Sequence, residues 1–253
     1  MTNETVAFVT DIHPPYQYDP AIELTQRILK DIQPDQLIIG GDAFDFYQAS
    51  HFNKSPERLA SLQYDIDIGV DILRNLQSQC KADTKYIFLV GNHEERLEKF
   101  LLRNAAQLSK LRCLNMEELL ELRKMGFSVY DKRTPFIYKG VLYKHGNRVR
   151  KHSGYTAKSY IDDYMMNVVT GHTHRMAMVK KTISSGIITS IESGHLSDIN
   201  KLEYMALPGN WQMGITIITY IDDIPFFNLV EYNVIGNELT AMINKKIYRS
   251  TND

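Results

Sequence analysis

Several things are scarce in this sequence, and each scarcity excludes a class of protein. There are two cysteines in 253 residues, Cys80 and Cys113, in separate helix-like segments and without CxxC spacing. That excludes a disulfide framework and leads us to expect buried thiols in a reducing cytoplasm. No run of about 20 predominantly apolar residues is present, so no membrane-spanning helix and no membrane partner are expected. The opening stretch MTNETVAFVTDIHPP has neither a basic n-region nor a long apolar h-region, and no secretory signal is expected. The net charge is −1, so the chain as a whole is not built to coat nucleic acid, and any anion site must be local. There are no repeats, no low-complexity segment and no Pro/Gly/Ser linker, so residues 1–253 are expected to form one domain. GGDAF has no following G-K-[ST], which excludes a phosphate-cradling P-loop. NHEERLE has Leu97 where a metalloprotease helix needs its second histidine.

What is present is a core-forming, patterned chain. Apolar residues make up 43% and charged residues 23%, the balance of a soluble globular protein. In the first half, short apolar runs alternate with helix-like segments. VAFVT (6–10), QLIIG (36–40) and YIFLV (86–90) read as buried strands. Residues 21–32 and 56–80 read as amphipathic helices, the second with Leu59, Leu62, Ile66, Val70, Leu73 and Leu76 on one face. Residues 94–124 read as mostly helical with a break near Cys113–Asn115. The second half is richer in β-branched and aromatic runs: FSVYD, PFIYKGVLYKHG, NVVTG, GIITSI, GITIITYID and FFNLVEYNVIG. FIYKGVLYK reads as a hairpin turning at Lys139–Gly140, and one helix is expected at about 154–165. The expected fold is α/β, with sheets packed face to face and flanked by helices.

The polar residues fall where the strands end. After VAFVT come Asp11 and His13; after QLIIG, Asp42 and Asp45; after YIFLV, Asn92 and His93; after GVLYK, His145; after NVV, His172 and His174. Ligands of open α/β sheets bind beyond the carboxyl ends of strands. Of eight histidines, five lie at these ends, together with Asp11, Asp42 and Asn92, which isolated structural histidines do not explain. Carboxylate, amide oxygen and imidazole together suit Mn²⁺, Fe or Zn²⁺ better than Mg²⁺ or Ca²⁺. The set lacks cysteine, which argues against a structural zinc site. It is large enough for two metals sharing a bridge, a device for in-line displacement at phosphorus.

DIH, GDAFD, GNHE, HG and GHTH follow one another over residues 11–174. This order resembles the calcineurin-like metallophosphoesterase superfamily. GNHEER, GHTHR, ESG and GNWQMG look like its small stand-alone members in bacterial and phage genomes. The resemblance implies a four-layer α/β/β/α sandwich with a dinuclear centre. Asp11, His13 and His174 would hold the first metal, Asp42 would bridge both, and Asn92, His145 and His172 would hold the second. His93 would contact the scissile phosphate or the leaving oxygen, and Asp45 would support it from behind the ligands. The protein Ser/Thr phosphatases of the superfamily carry arginines beside GDxxD and GNHE. This chain has Phe46-Tyr47 and Leu89-Val90 there, which argues against a protein-phosphatase role.

The mechanism expected from charge is in-line attack by a metal-bridging hydroxide, with His93 giving a proton or hydrogen bond to the leaving oxygen and no covalent phosphoenzyme. The two divalent ions are expected to be Mn²⁺, with Fe, Zn²⁺ or Ni²⁺ as alternatives. The expected substrate is a phosphodiester of a nucleotide or nucleic acid. A phosphomonoesterase (nucleotide or protein phosphatase) and a non-catalytic scaffold of the same fold are the alternatives. The basic stretch KHGNRVRKHSGYTAK (144–158), including Arg148, together with Arg96 and Arg175, offers phosphate contacts or simple salt bridges. Tyr16, Tyr18, Phe46, Tyr47 and Phe52 either stack on a base or pack under loops, packing being favoured, and His195 is a candidate outer residue of the site. Nothing in the sequence speaks to oligomeric state.

Overall fold

The computed structural model describes residues 3–55, 61–202 and 209–251. Two sheets lie face to face. In the first, β1 (Asn3–Val9), β2 (Gln36–Ile39), β3 (Lys85–Leu89) and β4 (Phe127–Tyr130) run parallel. β10 (Gly214–Ile221) and β11 (Ile224–Glu231) extend it antiparallel, giving the order β11-β10-β1-β2-β3-β4. In the second, the order is β5-β6-β7-β9-β8: β5 (Phe136–Tyr138), β6 (Val141–Lys144), β7 (Asn167–Thr170), β9 (Gly186–Glu192) and β8 (Ala177–Ile183). Within it β6, β7 and β9 are parallel.

Strand pleating explains the layers. Side chains alternate across a strand, and β1 is buried on both sides. Its Val6 and Phe8 enter the core between the sheets with Ile38, Ile87, Leu89, Tyr143, Val169, Ile191 and Ile218. Its Ala7 and Val9 join the other core, with Leu24 and Ile28 of helix α1 (Asp19–Ile32) and Ile66, Val70 and Leu73 of α2 (Leu62–Ser78). A third core of Leu142, Tyr160 and Val168 lies between the second sheet and α5 (Tyr155–Tyr164). The result is the expected α/β/β/α sandwich. Phe8 is fully buried; Phe8→Ala would empty the middle of it at a cost of roughly 3–5 kcal/mol.

α1 starts with Pro20 in its first turn, where a missing N–H costs nothing. It stops at Gln33, whose left-handed backbone (φ 45°) returns its N–H to Leu29 O. The hairpin at Lys139–Gly140 is present, with Tyr138 opposite Val141.

Five expectations need correction or restriction. The stretch 94–124 is far more broken than its composition suggests: α3 (Glu95–Asn104) ends at Ala105, two single 3₁₀ turns follow, and α4 (Met116–Leu119) is one turn long. The second helix is described only from Leu62; residues 56–60, with Leu59, lie outside the described residues. β8 was not read as a strand because Lys180 and Lys181 interrupt its apolar pattern; it is an edge strand with alternating exposure. β13 (Glu238–Ile243) and β14 (Lys246–Thr251) were also missed. With β12 (Asn233–Ile235) they form a small meander whose Leu239, Ala241 and Ile243 cover α1. Finally, Cys113 is exposed and Cys80 only half-buried, so the expectation of two buried thiols does not hold.

Candidate metal centre

The parallel strands β1, β2 and β3 of one sheet and β6 and β7 of the other end on the same side of the sandwich. Their carboxyl ends carry Asp11 and His13, Asp42, Asn92 and His93, His145, and His172 and His174. Turning these side chains inward requires unusual backbone. Asp11 (φ 54°), His13 (56°), Asp42 (46°), His172 (73°) and His174 (56°) are all left-handed. For non-glycine residues that conformation stores on the order of 1–3 kcal/mol each.

The loops are held by main-chain bonds that cross between them. Asp11 N–H donates to Gly41 O at 3.1 Å, His13 N–H to Asp42 O at 3.2 Å, and Gly171 N–H to His145 O at 3.0 Å. His172 N–H donates to Asp11 Oδ2 and His93 N–H to Asp42 Oδ1, both at 2.9 Å. Two glycines are required by close approach. A Cβ on Gly91 would sit 2.2 Å from Asp42 Oδ1, and one on Gly171 would sit 2.2 Å from Thr10 Oγ1 and 2.5 Å from Asp11 Oδ2.

Two groups of ligand atoms result. Asp11, His13 and His174 form the first and Asp42, His145 and His172 the second. In the first, Asp11 Oδ1 lies 3.2 Å from His174 Nε2 and 3.8 Å from His13 Nε2, and the two imidazole nitrogens are 3.1 Å apart. In the second, His145 Nε2 lies 3.1 Å from Asp42 Oδ2 and 3.2 Å from Asn92 Oδ1. Ligands at about 2.0–2.2 Å from one ion stand roughly 3–3.6 Å from each other, so these spacings fit metal binding. Asp11 Oδ1 strengthens the fit: it is buried, faces two imidazoles and has no hydrogen-bond partner among the described residues.

A third grouping, His13, Asp45 and His93, shares His13 with the first. Its contacts run through the opposite ring nitrogens: Asp45 Oδ2 is 3.2 Å from His13 Nδ1 and 3.3 Å from His93 Nδ1. A carboxylate behind an imidazole fixes its tautomer and turns Nε2 forward, which is the geometry here. Asp45 therefore reads as an orienting group behind the ligands.

The electrostatics show a strong demand for positive charge. Burial would raise the carboxyl of Asp11, but His174 and His13 outweigh it and hold it well below the usual range. Asp42 is likewise depressed against burial by His145 and His93, and Asp45 by bonds from His13 and His93. In return, His13 is pushed up to about 10 and His145 to about 9, burial being overcome by these carboxylates. His172 goes the other way, down to about 4, through burial and the repulsion of His145. His93 is also lowered, chiefly by burial. Three buried carboxylates meeting a nest of imidazoles are a donor set that fits divalent cations.

Of the four outer residues expected from sequence, Asp45 and Arg96 reach the cluster. Arg96 donates through Nη1 to Asp45 O (2.8 Å) and Oδ1 (3.1 Å) and through Nη2 to His93 Nε2 (2.9 Å). Because guanidinium can only donate, Nε2 of His93 is the acceptor and its Nδ1 carries the hydrogen. Arg148 and Arg175 are taken up elsewhere. Arg148 pairs with Asp163 on α5, and Arg175 donates to Arg150 O at 2.7 Å. Two of the five basic residues of the stretch are thus answered by acids of α5, Arg148 by Asp163 and Lys158 by Asp162 at 2.6 Å. Phe46 and Tyr47 are buried, which favours packing over stacking for them, while Phe52 is exposed against His51.

Four supporting residues escaped the sequence reading in whole or in part. Glu94, fully buried, accepts the N–H groups of Gly91 (2.8 Å), Asp42 (3.0 Å) and Phe44 (3.0 Å), tying two ligand loops together. Burial and the neighbouring Asp42 push it up to about 7. Glu192 accepts from Ala157 N–H and from the hydroxyl of Thr173, both at 2.9 Å, so Thr173 is an anchor for the His172–His174 loop. His195 stacks on His174 with ring centroids 5.1 Å apart, and Trp211 sits edge-on to His174 at 4.5 Å. Glu94 is visible as the last letter of GNHE and His195 as a candidate; Glu192 and Trp211 lie within ESG and GNWQMG, stretches that carry a resemblance but no assigned role.

The family model for the calcineurin-like phosphoesterase domain matches residues 4–176, more than half of the chain. The "Gene 54 protein" of Mycobacterium phage L5 is 24% identical over 231 residues, covering 86% of this chain and 89% of that protein. Its counterpart from Mycobacterium phage D29 gives the same values. Among solved structures, Vps29 of Chaetomium thermophilum is matched at 7% identity with a TM-score of 0.49, over 98% of this chain and 99% of that one. The nuclease MPE of Pseudomonas putida is matched at 15% identity with a TM-score of 0.36, over 84% and 83%. No helix among the described residues is long and apolar enough to cross a membrane.

Proposed function

The chain belongs to the calcineurin-like phosphoesterase family, and from that premise we propose that it is a dinuclear-metal-dependent phosphodiesterase acting in the cytoplasm on nucleotides or nucleic acid. The observation that carries the reading is the pair of ligand groups, Asp11–His13–His174 and Asp42–His145–His172, facing one another across the sheet ends. In this reading the first group holds one ion, the second group with Asn92 holds the other, and Asp42 is shared. Mn²⁺ suits the mixed imidazole, carboxylate and amide set. When bound, such ions supply an activated water and neutralise charge on the phosphoryl oxygens.

The chain's own residues do the rest. Asp45 keeps the rings of His13 and His93 turned forward. Glu94 locks the Asp42 and Asn92 loops to one another. His93 is held neutral, and its Nε2 is capped by Arg96, whose guanidinium is partly exposed. With the hydrogen on Nδ1, His93 Nε2 has none to give in this state: the leaving oxygen would take its hydrogen bond from Arg96, and a proton from His93 only after Nε2 has itself taken one from water. His93 is the catalytic residue and Arg96 its companion.

The test is a paired assay with bis-(p-nitrophenyl) and mono-(p-nitrophenyl) phosphate under Mn²⁺. Turnover of the diester in preference to the monoester, abolished in Asp42→Asn, is expected. Preference for the monoester would remove the diesterase assignment. A purified chain that holds no metal and hydrolyses neither would be a scaffold of this fold.

A further inference from the structure

Beside the second ligand group a cleft opens to the outside, with a cavity of about 460 Å³. That lies within the range of small-ligand sites, roughly 300–1,000 Å³. Its inner end is formed by Asn92 and His145 themselves. Its walls come from both sheets: Tyr130 of β4 and Phe136 and Ile137 of β5, with Tyr164 at the end of α5; Tyr143 of β6, fully buried, backs them from the core. The rings touch in series, Tyr130 to Phe136 at 4.9 Å and Phe136 to Tyr143 at 5.8 Å between centroids.

Charge narrows the occupant. Lys99 and Lys132 also reach the cleft, where both pair with Glu95, at 2.6 and 2.8 Å, and the other carboxylate there, Asp131, is held by Arg133 at 2.6 Å. Lys144 has no carboxylate partner among the described residues. Its ammonium donates to Tyr164 Oη at 2.9 Å and lies over the rings of Tyr160 and Tyr164 at 4.9 and 5.0 Å. An ester group in this cleft would thus meet aromatic walls, one uncompensated cation and, at the inner end, the ligand residues. A flat heterocycle on a sugar, carrying a further phosphate, matches all three. An aliphatic chain matches only the walls.

We infer that this cleft is a nucleoside subsite. It holds the base and sugar on one side of the scissile phosphorus and sets Lys144 against a neighbouring phosphate. The inference rests on the phosphoesterase reading above and gives its substrate a class.

The test is calorimetric titration of the full-length, Mn²⁺-loaded chain with inorganic phosphate and with thymidine 3′,5′-bisphosphate, which carries the second phosphate that Lys144 would meet. The nucleotide is expected to bind at least about tenfold tighter than phosphate, the scale of one base stacked on aromatic walls. In Tyr164→Ala and Lys144→Met, both at the rim, that ratio is expected to fall towards one. Ile137→Trp, which adds bulk at a position 54% exposed, should do the same without removing any wall. Equal affinities in the parent chain, or a ratio unchanged in all three variants, would overturn the subsite while leaving the phosphoesterase reading intact. A loaded chain that binds neither probe would overturn both.

Discussion

The two ends of the sandwich use the same rare backbone conformation for different purposes. At the far end, three two-residue hairpin loops, Lys139–Gly140, Asp222–Asp223 and Asn244–Lys245, have both central residues at positive φ. This is what tight hairpins require to match strand twist, and each loop is closed by its own flanking strands. Lys139 there pairs with Glu4 at 2.7 Å and Asp223 at 2.8 Å, on the surface. At the site end, Asp11, His13, Asp42, His172 and His174 adopt left-handed backbone as single residues in longer loops. Four of them are buried, and their loops are held from elements far away in sequence. One end accepts positive φ because the turn is short. The other accepts it because the side chain has to point at a shared centre.

Breaking the site end should therefore cost function far more than breaking the hairpins costs stability. The largest effect is expected from Asp42→Asn, which removes a charge central to both groups. Diesterase activity should drop on the order of a thousandfold, the scale of losing a preorganised charge-stabilising group, measured as kcat/KM with bis-(p-nitrophenyl) phosphate. Gly91→Ala comes next. Its Cβ would press on Asp42 Oδ1 and on the Asp42 backbone nitrogen at 2.4 Å, so both the thermal midpoint and the bound metal should fall. Asp45→Asn keeps the shape but weakens the orientation of His13 and His93; roughly 10–100-fold in metal affinity or activity is expected, read by competition with a chelating dye. The smallest effect belongs to the far end. Lys245→Gly, at φ 69° in an exposed hairpin, should change stability by no more than about 1 kcal/mol, towards greater stability, with activity unchanged. A hairpin substitution that cost activity as much as Asp45→Asn would erase the distinction between the two ends.

The same contrast explains what could be read from the sequence. The strand-end blocks were legible because each ligand follows its own apolar run within a few residues, as Asp11 follows VAFVT and His172 follows NVV. Face-to-face sheets flanked by helices followed from the spacing of those runs, and the four layers from the family resemblance. What stayed hidden depends on partners distant in sequence. Glu94 caps loops 50 and 52 residues away, Glu192 anchors Thr173 from the neighbouring strand, and Trp211 packs on His174. Arg148 looked like a phosphate contact only because its partner Asp163 lies on the next helix. The break after α3 was equally silent: Ala105, a helix former by composition, sits at φ −155° because the chain turns there into a 3₁₀ turn.

The central claim is that two ions sit at this end, one in each ligand group. It is tested most directly by anomalous diffraction from crystals of the Mn²⁺-loaded chain. Two peaks are expected per molecule, one among Asp11, His13 and His174 and one among Asn92, His145 and His172, with Asp42 between them. A single peak, or a peak among His13, Asp45 and His93, would contradict the account.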